Sequence, residues 1–254
     1  MIGYLRKTAR LFHPDSKRTI ILPLDHGLSE GTLPGLEDLG SLLQSIAHVR
    51  LQGVILHKGM VLAHASEISL EQSLIVHLSA GTRHGLPPYN KALVCSVQEA
   101  LRLGADMVSM HINIGNELED RMLSDLGACV EEAHQLGLPL LAMIYARGGQ
   151  IVHETDSALV AHSIRVGAEL GVDMIKVPYC GNPNSFAKAV TSCPVPVVVS
   201  GGPCNGDFRL FLRTLKEVLE TGVAGVCIGR NVFQQDNPAR ALAEICTLVH
   251  GPAS

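Results

Sequence analysis

Two lysines close short apolar runs in this sequence, where an amine can be made nucleophilic. One is Lys58, in Val54-Ile55-Leu56-His57-Lys58-Gly59; the other is Lys176, in Asp173-Met174-Ile175-Lys176-Val177-Pro178. An ammonium at the end of a buried strand is costly to desolvate. Desolvation lowers a lysine pKa from about 10.4 and frees an amine that can form a Schiff base with a carbonyl substrate. Lys176 has apolar neighbours on both sides, whereas Lys58 adjoins His57 and Gly59, so the residues favour Lys176. A structural ion pair or a plain phosphate contact is the alternative for either. Such chemistry also moves protons at the substrate hydroxyl and at the carbinolamine. Tyr145, closing Leu140-Leu141-Ala142-Met143-Ile144, suits that task unless it only fills space. Asp25, in Leu22-Pro23-Leu24-Asp25-His26-Gly27, can hold a substrate hydroxyl, assist the proton relay or simply pair with a lysine.

Glycines form a second pattern. Val199-Ser200-Gly201-Gly202-Pro203 and Cys227-Ile228-Gly229-Arg230-Asn231 each end an apolar run. Glycine lets backbone N–H groups approach an anion, and Arg230 adds a forked, charged donor. Tight turns of no function use the same residues, but two of them with an arginine favour phosphate. Metal chemistry has less support. The 12 histidines include no HExxH, and His57, His77 and His111 lie on separate runs that only tertiary geometry could bring together. The reading is therefore metal-independent, with no cofactor.

These residues need a scaffold that brings many strand ends to one place. Eight apolar, largely β-branched runs recur: Thr19–Leu24, Gly53–His57, Leu74–Ser79, Asp106–Asn113, Leu138–Tyr145, Asp173–Val177, Val195–Ser200 and Gly225–Gly229. Continuous rather than alternating hydrophobicity predicts parallel strands buried on both faces. Between them, helical periodicity predicts Leu36–Arg50, Asn116–Gln135, Asp156–Leu170, Asn184–Val190, Asp207–Glu220 and Ala239–Val249. Several helices end in Gly just before a strand, as in Leu170-Gly171-Val172-Asp173. No GxGxxG follows the first strand, which argues against a dinucleotide-binding sheet. The expectation is an α/β fold, a (β/α)₈ TIM barrel forming a single domain over residues 1–254, with 1–17 as an N-terminal extension. In such a barrel the C-terminal strand ends share one mouth, and the last two commonly hold phosphate. Asp25, His26, Lys58, His77, His111, Tyr145, Lys176, Gly201, Gly202, Gly229 and Arg230 are expected there.

Composition agrees. Hydrophobic residues make up 46% of the 254 and aromatics 4%, with no Trp, a composition suited to aliphatic strands under helices. A net charge of −4 gives no reason to expect nucleic acid or an anionic membrane as partner. Arg6, Lys7 and Arg10 read as a solvated face and interrupt any signal-peptide core, and no apolar run reaches the ~18 residues of a membrane span. A cytoplasmic protein is expected. The seven cysteines include no CxxC pair and read as buried free thiols.

Several segments resemble one family: Leu22–Gly27, Leu56–Gly59, Ile75–Ala80, Met143-Ile144-Tyr145-Ala146-Arg147-Gly148, Gly167–Gly171 with Ile175-Lys176, Ser200–Pro203 and Gly229–Phe233. They look like the archaeal-type class I aldolases. That family holds fructose-bisphosphate aldolase, 2-amino-3,7-dideoxy-D-threo-hept-6-ulosonate synthase and enzymes that condense aspartate semialdehyde with dihydroxyacetone phosphate. The resemblance spans residues 18 to 250 and implies Lys176 as Schiff-base lysine, Tyr145 as catalytic tyrosine and Asp25 as first-strand aspartate. It places the phosphate grip on Gly201, Gly202, Gly229 and Arg230, and implies a metal-free homo-oligomer, often a ring-based decamer. Within the family, Ser109–Gly115 and Met122–Gly127 look closer to the aminoheptulosonate synthases. Two residues depart from its pattern: Ala146 stands where Pro is usual, and Cys204 where a Lys commonly follows Gly-Gly-Pro.

The implied reaction joins a phosphorylated ketose, dihydroxyacetone phosphate or a deoxyketohexose phosphate, to an aldehyde such as L-aspartate 4-semialdehyde. A cation must then face the acceptor carboxylate; Lys58, Arg83 and Arg147 qualify, and His26 and His111 are expected to line the substrate. The rivals are fructose-1,6-bisphosphate aldolase, a non-catalytic phospho-sugar-binding barrel, and an isomerase or acyltransferase using the same phosphate grip.

Overall fold

Each of the eight apolar runs becomes a strand, and the strands close on themselves. In the computed structural model, which describes residues 2–252, β1 (Thr19–Pro23), β2 (Gly53–His57) and β3 (Ser73–His77) are followed by a two-stranded antiparallel arm, β4 (Ser79–Ala80) and β5 (Ala92–Leu93). Then come β6 (Met107–Ile114), β7 (Leu140–Ala146), β8 (Met174–Val177), β9 (Val197–Ser200) and β10 (Gly225–Cys227). All but the arm pair in parallel with their neighbours, and β10 returns to β1 to close the barrel. The major outer helices are α3 (Leu39–Ile46), α6 (Glu119–Gln135), α7 (Ser157–Glu169), α8 (Pro183–Thr191), α9 (Phe208–Glu220) and α11 (Pro238–His250). The first is shorter than the periodicity of residues 36–50 suggests, because the Asp38 side chain accepts from the Ser41 N–H and starts the helix there. No helix among the described residues is long and apolar enough to cross a membrane.

Strand alternation decides which side chains see the barrel axis. On β8, Met174 and Lys176 face inward, and Ile175 faces out. Met174 joins Ile21, Ile55, Ile75, Met107, Leu141, Met143, Val198 and Cys227 in a buried inner layer. Leu11 and Phe12 complete that layer, although the sequence marked residues 1–17 only as an extension. The segment before them forms α1 (Ile2–Arg10), which is tied on by a hydrogen bond from the Tyr4 hydroxyl to Asp173 and by Arg10 at 2.8 Å from Asp106. The N-terminal segment thus floors the barrel. All seven cysteines are free, but only Cys95, Cys129 and Cys227 are fully buried; Cys180, Cys193, Cys204 and Cys246 are partly exposed, against expectation.

The outward residue of β8 is what holds Lys176 in place from behind. Ile175 is completely buried and packs on α7 at Gly167, where an added Cβ would lie 2.8 Å from Ile175 Cγ1 and 3.1 Å from Ile144 Cδ1. Only glycine lets the helix sit this close. Gly167→Val is therefore expected to destabilise the fold by about 1–3 kcal/mol through overpacking. Urea unfolding monitored by far-UV circular dichroism measures it, and an unchanged midpoint would show that α7 is free to move outward.

Candidate active site

Lys176 stands on the inner layer with Met143 and Val198 as its register partners on β7 and β9. It is only 6% exposed, and its Nζ lies 3.8 Å from Met143 Sδ. Burial alone would leave it a free amine, as the sequence suggests, but its surroundings overturn that expectation. Burial pulls its pKa down, and Cys227, Tyr145 and Asp25 push it up and prevail. Burial pushes the Cys227 thiol up to about 11. Asp25 is therefore the anion that matters at neutral pH. Its carboxyl is itself held well below the usual range, because His77, His26 and Lys176 facing it outweigh burial.

Two histidines flank Asp25. His77 Nε2 lies 3.8 Å from Asp25 Oδ2 and its Nδ1 is 2.8 Å from Ser109 Oγ, while His26 Nδ1 lies 3.9 Å from Asp25 Oδ1. Burial pushes the His77 pKa down to about 3, so at neutral pH it is an uncharged spacer that shares protons with Ser109. On the other side of Lys176, the Tyr145 ring is 5.0 Å from the His111 ring, and the Arg147 guanidinium lies 4.6 Å over it. His111 is fixed in turn by Asn113, 3.0 Å away, whose amide donates to the Tyr89 carbonyl.

A cavity of about 560 Å³ opens above Lys176. It gathers Asp25, His26, His111, Tyr145, Arg147, Lys176, Gly201, Gly202, Gly229 and Arg230. The Asn231 side chain donates to the Gly201 carbonyl at 2.9 Å and so ties the β9 and β10 turns together. At Gly229 a Cβ would fall 2.7 Å from His26 Cε1 and 2.9 Å from the Pro23 carbonyl, so the close approach requires glycine. Arg230 Nε is buried without a hydrogen-bond partner, a donor left for an anion. Lys58 is not in this cavity. Its Nζ reaches back to Glu99 Oε2 at 3.0 Å, because α4 (Lys58–Ala63) begins at this residue and turns the side chain outward. In its place stands Lys91, carried in by the β4–β5 arm with Arg83. Nothing in the linear sequence marks Lys91, since the arm has no periodicity. His77, expected at the mouth, does not line the cavity and instead backs Asp25, and Asn231 was missed as a support although it directly follows Arg230. Among the described residues no group of three His, Cys, Asp or Glu side chains is arranged to hold a metal ion.

The buried histidines make acid stability predictable. Unfolded, His77 binds a proton near pH 6.5; folded, it resists until about 3. The unfolded chain therefore takes up the proton first, and the contribution to stability, complete above the former value, is lost as pH falls towards the latter. Urea midpoints at pH 7.5 and 5 should differ, the lower at pH 5, and His77→Gln should reduce the difference. Equal midpoints in the native protein would contradict the burial of a neutral imidazole.

Comparison with known proteins follows the same lines. The model of the DeoC/LacD family aldolases matches residues 19–235. The chain is 42% identical over 241 residues to 2-amino-4,5-dihydroxy-6-oxo-7-(phosphonooxy)heptanoate synthase of Streptomyces griseus, covering 95% of this chain and 88% of that one. It is 38% identical over 252 residues to 2-amino-3,7-dideoxy-D-threo-hept-6-ulosonate synthase 1 of Archaeoglobus fulgidus, covering 99% and 92%. Among solved structures, an archaeal fructose 1,6-bisphosphate aldolase whose catalytic lysine carries the carbinolamine intermediate superposes with a TM-score of 0.90 at 31% identity, covering 98% of this chain and all of that one.

Proposed function

The chain belongs to the DeoC/LacD aldolase family and is a class I aldolase, and on that premise we propose that it joins dihydroxyacetone phosphate to L-aspartate 4-semialdehyde through Lys176. The observation that carries the reading is Lys176 buried at the mouth, beside Asp25 and Tyr145, with the Gly201–Gly202 and Gly229–Arg230 turns to one side. The product name of the Streptomyces griseus relative supplies the substrates. Its C6 ketone and C4 hydroxyl are the β-hydroxyketone of an aldol addition, and cutting C4–C5 leaves a phosphorylated three-carbon ketone and a four-carbon amino-acid aldehyde. A deoxyketohexose phosphate is the alternative donor, since the Archaeoglobus fulgidus relative's product is deoxygenated at C7.

The steps follow from the geometry. Backbone N–H groups at the two glycine turns, with Arg230, hold the phosphate and bring the neighbouring ketone to Lys176. The amine adds to C2, and the carbinolamine loses water to give an iminium. A proton leaves C3 to form the enamine, whose carbon attacks the aldehyde, and the new alkoxide takes a proton. Water then releases product and lysine, so the water lost at the start is returned at the end. Tyr145 is placed to hand protons to and from the carbinolamine and hydroxyl oxygens. Asp25 keeps Lys176 charged in the resting state and orients the donor hydroxyl. A homo-oligomer in a cytoplasmic setting belongs to the same reading; the exposed Leu62 and Leu70 offer apolar surface for assembly.

Borohydride trapping with dihydroxyacetone phosphate, followed by peptide mapping, tests the assignment. A chelator-insensitive adduct on Lys176 is expected, absent in Lys176→Met; an adduct elsewhere, or none, would sink it. Tyr145→Phe should retain the fold and lower kcat by about 10²–10⁴-fold, the usual range for a lost proton-transfer group. Asp25→Asn removes the anion that favours the ammonium. The acid limb of its trapping rate should therefore move to lower pH than in the native protein, even as turnover falls. A limb that stays in place would show that Asp25 does not set the lysine's protonation.

A further inference from the structure

The side of the cavity away from the phosphate turns carries charges of both signs. In an eight-stranded ring β10 lies opposite β6 and β1 opposite β7, so the loops after β6 and β7 face the Gly229–Arg230 turn across the mouth. There Arg147 Nε lies 2.7 Å from Glu154 Oε2, and both residues line the cavity. The pair is held in place rather than trailing in solvent. The Arg147 N–H donates to the Ile114 carbonyl at 3.0 Å, and its guanidinium rests over the Tyr145 ring. Beyond it, Gly148 sits so close to Gly115 that a Cβ would lie 1.6 Å from the Gly115 carbonyl oxygen. The two loops are thus packed backbone to backbone, and Ile151 covers the contact before the chain reaches Glu154. Lys91 stands nearby on the arm.

A carboxylate at an acceptor site has a chemical meaning. An aldehyde that carries only a carboxylate or a phosphate would be served by the cations alone and repelled by Glu154. An α-amino acid aldehyde carries an ammonium and a carboxylate on one carbon, and these can exchange with the two halves of the Arg147–Glu154 pair. Both members are partly exposed, at 30% and 42%, and a pair of that kind opens readily. We propose that Glu154 is the residue that selects an α-amino acceptor, by taking its ammonium group while Arg147 and Lys91 take its carboxylate. This rests on the aldol function proposed above and extends it to the acceptor's recognition. Glu154 then does two things with one charge: it rewards the amino group and disfavours a dianionic phosphorylated acceptor in the same place.

The test compares acceptors in the full-length protein with dihydroxyacetone phosphate as donor. L-aspartate 4-semialdehyde and succinate semialdehyde share a chain and a carboxylate and differ only in the amino group. Glu154→Gln should lower the ratio of kcat/KM for the first over the second by about 10- to 100-fold, the range for a lost charged hydrogen bond. Glu154→Asp should restore part of it. In Glu154→Gln, turnover of glyceraldehyde 3-phosphate relative to succinate semialdehyde should rise. An unchanged ratio, with both aldehydes falling together, would overturn the proposal and leave Glu154 as a support for Arg147 alone. A wild-type enzyme that forms the Lys176 adduct but uses only the phosphorylated aldehyde would instead overturn the aldol function proposed above, and this inference with it.

Discussion

The structure turns on a charge placed where a barrel should not have one. Lys176 sits on an inner layer of Met143, Val198, Met174 and Cys227, and those residues offer an ammonium sulfur contacts but no carboxylate. Desolvating it without compensation would make the site untenable at neutral pH or force the lysine to stay neutral. Asp25 supplies the compensation from β1's end, and the need to keep Asp25 charged and correctly aimed explains its flanking histidines. His77 is buried as a neutral ring with Ser109 behind it, so it fixes the carboxylate without adding a second permanent cation. The barrel floor matters for the same reason. Leu11 and Phe12 fill the lower end and keep water from reaching the lysine from below.

That arrangement carries a cost for catalysis. A lysine held as ammonium is not a nucleophile, so the amine must be produced at the moment the donor binds. On the proposed mechanism Asp25 has opposing effects: it makes the buried lysine tolerable and it slows the first chemical step. Tyr145, positioned by the His111 ring on one side and the Arg147 guanidinium on the other, is the neighbour able to share a proton with both lysine and substrate oxygen. The division of labour follows from position on the ring. In the proposed mechanism the phosphate turns belong to β9 and β10, the proton-handling groups to β1 and β7, and the lysine to β8 between them.

Much of this was legible in the sequence because strands impose a period of two and barrels a common mouth. The eight runs, the inward Lys176 and the two glycine turns all follow from patterns a linear reading can see. Where it failed, the reason was local geometry. Lys58 ends a strand just as Lys176 does, but a helix begins at Lys58 and swings it to Glu99, whereas β8 continues through Val177 and keeps Lys176 inside. Lys91 enters from an arm whose place is set by the Gly81–Asn90 backbone approach, not by periodicity. The lowered lysine pKa was inferred from burial, one half of the electrostatics, without the partner that only folding supplies.

The two residues that depart from the family pattern bear on opposite ends of the cavity. Cys204 replaces a cation after Gly-Gly-Pro, and its sulfur instead accepts from the Gln235 amide at 3.6 Å. On the proposed reading the cationic share of phosphate binding falls on Arg230, whose Nε has no protein partner. Ala146 replaces a proline at the end of β7. It is buried and paired with Ile114 of β6 as the last register pair of the two strands. A proline there has no N–H to give and restricts the residue before it, which is Tyr145. With alanine the strand delivers Arg147 to the rim, its N–H bonded to Ile114 and its guanidinium laid over Tyr145 towards Glu154. On the proposed reading the acceptor end holds the Arg147–Glu154 pair, while the donor end relies on backbone groups and Arg230. On the proposed reading the site distinguishes its two substrates by where it places charge, with the acceptor's ammonium directed to Glu154 and the donor's phosphate to the turn that carries Arg230.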